Sequence, residues 1–267
     1  MTRILVITPT LGSSPWLDET VSSVARFQPR CRHVLVAPSA QVEALAKRFP
    51  AATVVPEPGG GMYAAINAGL AVPFEWDGFT YINDDDLLLP RFALVVAGLR
   101  ENPTGAVYGG VNLIGTHGQP LGAIPISPFP AMNRRLYAQR VEPVYQHGTL
   151  FSRHLYEKMG GFDDSFRFCG DTEYMARACV AGLPFRCATM RAVAAFRLRA
   201  GQLTKNLPVM QVESDRAHAK LGLPAPRLTW RHRWARMVFR TANLPVYFER
   251  VVRHGPITFG ELLARGE

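Results

Sequence analysis

Three short β-branched runs alternate with two amphipathic helical patterns in the first 55 residues, and few folds accommodate that rhythm. Ile4-Leu5-Val6-Ile7-Thr8 is unbroken and closed by Pro9, as in a strand buried on both faces. Residues 17–27 place Leu17, Val21, Val24 and Ala25 at helical spacing, with Asp18 and Glu19 in the first turn, where the helix dipole favours acids. A second strand pattern covers 33–37, a second helix 41–49 and a third strand 52–55. This βαβαβ order predicts an open, mostly parallel sheet with helices on both faces.

The triplet Gly59-Gly60-Gly61 opens another helical pattern over 62–70, and a strand over 79–82 then runs into Asn83, Asp84, Asp85 and Asp86. Ligands of open α/β sheets bind beyond the carboxyl ends of the strands, so the acidic run stands where a site belongs. From about residue 107 the apolar pieces shorten between Gly- and Pro-rich turns. Residues 150–159 and 172–181 read as helices around a loop over 160–170. Beyond about 204 the chain reads as helical and basic, without an internal repeat.

With 267 residues, 48% of them hydrophobic, the chain can bury one large α/β domain and a modest appendage. Its formal net charge of +9 favours nucleic acid, an anionic membrane face or a phosphorylated small molecule. Cys31, Cys169, Cys179 and Cys187 form no CxxC pair or close Cys/His set, which argues against zinc and for free thiols in a reducing compartment. No signal-peptide pattern precedes the first strand, and no run reaches the ~18 apolar residues of a spanning helix. The expected location is the cytoplasm, with peripheral contact to the inner face of the cell membrane.

Three adjacent aspartates repel one another unless a positive group offsets them, and hard carboxylate oxygens suit Mg²⁺ or Mn²⁺. Asp84 and Asp86 read as a metal–diphosphate platform and Asp85 as a contact to a donor hydroxyl or a support behind the ligands. A solvated acidic turn or a helix cap accounts for the same residues equally well.

The ordered motifs resemble family 2 glycosyltransferases. Ile82-Asn83-Asp84-Asp85-Asp86 is similar to that family's strand-end Asp motif, and the segment from Ile4 to Thr10 to its first strand and donor-nucleotide loop. Gly61-Met62-Tyr63-Ala64-Ala65-Ile66-Asn67-Ala68-Gly69-Leu70 resembles its Gly-Tyr-Asn-Gly segment. Gly161-Phe162-Asp163, Gly170-Asp171 and Arg177 resemble its acceptor-side block. The resemblance covers about residues 4–200. It implies a GT-A (Rossmann-like) catalytic domain over 1–204, with a donor half to about 106 and an acceptor half over 107–204. A basic helical extension then covers 205–267.

It also implies a metal-dependent, inverting transfer from a nucleoside-diphosphate sugar to a hydroxyl on a saccharide or lipid-linked acceptor, in cell-surface polysaccharide or glycolipid synthesis. Asp171 takes the place of the base; its competing reading is an N-cap, which its position before Thr172-Glu173-Tyr174 would equally favour. Thr8, Pro9, Thr10, Asn67, Asp84, Asp85, Arg197 and Gln202 are the donor-side candidates, and His147 and Glu173 the acceptor-side ones. Asn67 has the alternatives of holding the local loop or standing on a helix surface, Arg197 and Arg199 that of an ordinary basic turn, and His147 that of a satisfied structural histidine, which its setting favours. The family's Asp after the second strand is absent from Ala37-Pro38-Ser39, and Ala64 follows Tyr63 where an Asp is usual. The donor base is therefore not readable.

The segment 230–240 interleaves arginines with Trp230, Trp234, Met237 and Val238. It reads either as an interfacial helix on an anionic membrane or as a helix packing its apolar side on the catalytic domain. A non-catalytic nucleotide-sugar-binding protein, a nucleotidyltransferase and a nucleic-acid-binding protein are the other classes. The last two lack their motifs: no basic residue lies in Leu11-Gly12-Ser13-Ser14-Pro15, and no nucleic-acid signature is present.

Overall fold

A computed structural model of the chain describes residues 2–199, 202, 207–223, 229–257 and 261–262. The opening alternation folds as read: β1 (Ile4–Pro9), α1 (Leu17–Ala25), β2 (Cys31–Ala37), α2 (Val42–Arg48), β3 (Thr53–Pro56), α3 (Met62–Leu70) and β4 (Gly78–Tyr81). β1 pairs in parallel with β2 on one side and β4 on the other, and β2 with β3. Successive residues of β1 enter opposite cores, Leu5 and Ile7 one layer, Ile4 and Val6 the other. Two-sided burial explains why this strand shows no polar alternation. Gly69 lets α3 lie close to the sheet, since a Cβ there would come within 2.6 Å of Ile7 Cγ2.

The second half adds β5 (Leu87–Leu88), α4 (Phe92–Gly98), β6 (Ala106–Ile114), β7 (Pro120–Ile124), α5 (Asn133–Tyr137), β8 (Thr149–Ser152), α6 (Arg153–Met159), α7 (Gly170–Val180) and β9 (Phe185–Arg197). Among the described residues the sheet has nine strands in the order β3-β2-β1-β4-β8-β6-β9-β5, with β7 beside β6. β8 is antiparallel to both β4 and β6, and β9 is parallel to β6. Hence β1–β4, β6 and β9 share one direction and the sheet is mostly parallel. This is an α/β architecture of GT-A type.

Two sequence readings are corrected. Residues 149–152 are strand rather than the start of a helix, because Leu150 and Phe151 pair with β6 and β4; Ser152 then caps α6, its Oγ accepting from Leu155 N–H at 3.0 Å. Asp171 is not the N-cap of α7, because Cys169 occupies that position.

The tail forms α8 (Leu207–Lys220), α9 (Trp230–Ala242) and α10 (Leu244–His254). α8 packs on α7, α9 on α5 and α10 on β7. Asn243, between α9 and α10, brackets Ile126: its Nδ2 donates to the Ile126 carbonyl at 2.9 Å and its Oδ1 accepts the Ile126 N–H at 3.2 Å. The expected border at 204/205 lies outside the described residues.

Candidate functional site

A cleft of about 620 Å³ opens beyond the carboxyl ends of β1 and β4, bounded by Pro9, Thr10, Asp84, Asp85, His147 and Asp171. That volume suits a ligand of nucleotide-sugar size. One of its walls is the turn after β4. Thr10 Oγ1 donates to Asp84 Oδ2 at 2.5 Å and Ser14 Oγ to the Asp84 carbonyl at 2.9 Å. Burial raises the Asp84 pKa, and the Thr10 hydroxyl opposes that rise. Asp85 is pushed up to about 6 by burial and by Asp86, against the pull of Arg199, whose Nε donates to Asp85 Oδ2 at 2.5 Å.

Asp86 lies beneath this surface with no exposure. Its Oδ1 accepts the Arg197 N–H at 2.8 Å and its Oδ2 the Asn83 amide at 3.1 Å, while His147 Nε2 stands 3.3 Å from Oδ2. Among the described residues no three His, Cys, Asp or Glu side chains converge to hold a metal unaided. Asp84 at the surface with Asp86 behind it fits a cation that draws its remaining ligands from substrate phosphates and water, as Mg²⁺ commonly does.

Thr8, Asn67, Arg197 and Glu173 lie outside the cleft lining. Thr8 points into the sheet, its Oγ1 2.9 Å from His33 Nε2; burial lowers the His33 pKa to about 3, so that ring is neutral. Asn67 clamps the loop before α7, donating to the Phe162 carbonyl at 2.8 Å and accepting the Phe162 N–H at 2.9 Å. Arg197 is 1% exposed, and its guanidinium donates to the carbonyls of Asp85, Gly115 and Thr116 and to Glu19. It therefore braces the aspartate turn from behind, while Arg199 and Arg167 are among the residues that line the cleft. Glu173 is fully buried and paired with Arg177 and Lys220, away from the cleft lining. Gln202 lines the cleft and ties down its rim, accepting the Arg199 N–H at 3.2 Å and donating to the Arg197 carbonyl.

Another wall centres on Asp171, in the first turn of α7. Its Oδ1 accepts from the Tyr63 hydroxyl at 3.1 Å and from Thr172 N–H at 2.8 Å. Among the described residues Oδ2 accepts no hydrogen bond. Burial raises the Asp171 pKa, a rise moderated by Thr172 N–H, His147 and Tyr63. His147 is 8% exposed; burial lowers its pKa, but Asp86 and Asp171 outweigh that and the net shift is upward.

Three contributors escaped the sequence reading. Gln146 lines the cleft with a buried, unpartnered Oε1. Glu142 accepts from Thr172 Oγ1 at 2.6 Å, and burial together with Asp171 pushes its pKa up. Glu213 of α8 accepts the N–H groups of Arg167, Phe168 and Cys169 at 2.8, 2.8 and 3.0 Å, fixing the loop that delivers Asp171. No local pattern marks these three; only Gln146 carried a signal, as the neighbour of His147.

No known family pattern and no curated protein sequence matches the chain. Solved structures do. Residues 1–349 of S. aureus TarS in complex with UDP superpose with a TM-score of 0.61 at 15% identity, over 98% of this chain and 77% of that one. The mannosyltransferase PcManGT from Pyrobaculum calidifontis, in complex with GDP-Man and Mn²⁺, gives 0.57 at 18% identity, over 99% and 79%. At such identities the likeness is one of fold.

Proposed function

We propose that the protein is a glycosyltransferase that moves a sugar from a nucleoside-diphosphate sugar to a hydroxyl acceptor, with Asp171 as the base. The observation that carries this reading is one cleft with two chemically distinct walls. Asp84 and the Asp85–Arg199 pair offer a cation and diphosphate surface, and Asp171 keeps one oxygen unengaged on the other side. In an inverting transfer the Asp171 carboxylate takes the acceptor O–H proton. The acceptor oxygen then bonds to the anomeric carbon as the bond to the diphosphate oxygen breaks on the opposite face. Mg²⁺ or Mn²⁺ at Asp84, backed by Asp86, would neutralise the departing diphosphate. Arg199 adds positive charge at the same wall. Saccharides and lipid-linked saccharides are the acceptor class this reading takes.

A thermal-shift screen of UDP-, GDP-, dTDP- and CDP-sugars with and without Mn²⁺ tests it. One nucleotide should raise the melting temperature, and most strongly with metal. No shift with any nucleotide, in either condition, would reject the reading.

A further inference from the structure

The segment 230–240 has two readings, and the structure shows which sides of α9 and of the following α10 pack on the domain. α9 buries Ala235 and Phe239 against Leu136. Trp230, Trp234 and Met237 lie on the opposite side, 72%, 53% and 51% exposed. α10 repeats the arrangement: Arg250 is turned inward, while Leu244, Phe248, Val251 and Val252 are exposed, Phe248 to 72%. Two consecutive helices thus hold seven large apolar side chains in solvent, whereas an isolated surface Leu or Val would need no explanation.

The charge beside this stripe is one-signed. Residues 230–254 contain six arginines and one glutamate, Glu249, which pairs with Arg253 at 2.9 Å. By helical spacing Arg231 flanks the α9 stripe on one side and Arg233, Arg236 and Arg240 on the other. Among the described residues no carboxylate lies within ion-pair distance of these four. Two copies of such a surface would bring like charges together, so self-association through it is disfavoured. Neither helix is long and apolar enough to cross a bilayer. An outward apolar stripe with tryptophans at one end and arginines alongside suits a helix lying at the headgroup level of an anionic bilayer.

From the geometry we infer that the outward faces of α9 and α10 seat the protein on an anionic phospholipid membrane. The inference does not depend on the transfer chemistry. In that seat Trp230, Trp234 and Phe248 enter the interface and the arginines meet lipid phosphates.

Flotation of the full chain tests it, using vesicles of phosphatidylglycerol mixed with phosphatidylcholine and vesicles of phosphatidylcholine alone. The chain should float with the mixed vesicles at low salt and stay behind with the neutral ones. Each arginine near an anionic surface is worth about fivefold in partitioning, so the double variant Arg233→Gln, Arg236→Gln should bind about 25-fold more weakly. The double variant Trp234→Ser, Phe248→Ser alters only exposed positions, so folding should persist while flotation is lost. No flotation of the native chain, or undiminished flotation of the serine variant, overturns the inference. So does a lipid-free dimer in sedimentation that the serine variant breaks apart, which would assign the stripe to a second copy of the chain.

Discussion

The Tyr63 hydroxyl meets Asp171 twice, donating to Oδ1 at 3.1 Å and accepting the Asp171 N–H at 3.2 Å. One side chain from α3 thereby fixes both the carboxylate and the backbone of the residue assigned as the base. The bond to Oδ1 favours the charged form. Tyr63→Phe should therefore raise the Asp171 pKa and move the acid limb of the pH–rate profile upward. A fall of about tenfold in turnover at neutral pH is expected, with recovery at higher pH. A profile that keeps its midpoint would remove Tyr63 from this role.

Asp171→Asn separates chemistry from stability. Transfer should fall by about 10²–10⁴-fold while the donor-induced thermal shift survives. Burial raises the folded-state pKa of Asp171 above its unfolded value, so the cost of the charged carboxylate is full above the folded-state pKa, shrinks as pH falls through it and is gone below the unfolded value. The asparagine variant should accordingly melt no lower than the native chain at pH 7, and its relative advantage should shrink in acid. Melting curves across pH check the sign.

Asp84→Asn tests the cation wall. Its side chain is at the cleft surface, bonded to Thr10, so the fold should tolerate the change. The Mn²⁺-dependent part of the donor shift should disappear, leaving whatever the nucleotide contributes alone. Calorimetric titration of Mn²⁺ in the presence of nucleotide is the direct reading, and unchanged metal affinity would rule Asp84 out.

Arg197→Met probes the brace behind the aspartates. The change would strip three backbone carbonyls and Glu19 of a buried donor. A loss on the order of 3 kcal/mol is expected, because unpaired buried acceptors keep their desolvation penalty. Urea unfolding with an unchanged slope and a lower midpoint would report it.

The first 86 residues were legible because their strands are short, apolar and separated by helices of clear period. The helix from Met62 to Leu70 was read to the residue. β6 and β9 were not, and glycine is the reason for the first. Gly109 and Gly110 look like turn punctuation, yet a Cβ at Gly109 would lie 2.6 Å from Val193, and one at Gly110 would strike the Met190 carbonyl. They mark a close crossing of two strands inside a ladder. Asp84, Asp85 and Asp171, which line the cleft, were singled out because they stand in ordered motifs, whereas His147 lines it without belonging to one. Arg197 misled because sequence shows a cation near a cleft but not which way it turns. Glu142 and Glu213 act through long-range packing that no local spacing encodes.

Glu213 also bears on how this protein is assembled and cut. Its carboxylate gathers three consecutive amides ahead of Asp171, from a helix that leaves the ribosome after the sheet is complete. A shortened version ending at Gln202 would carry every residue of the proposed chemistry and still lack the clasp that sets Asp171. The smallest piece that holds the full wall around Asp171 runs through Lys220, and a nascent chain reaches that state only when α8 arrives.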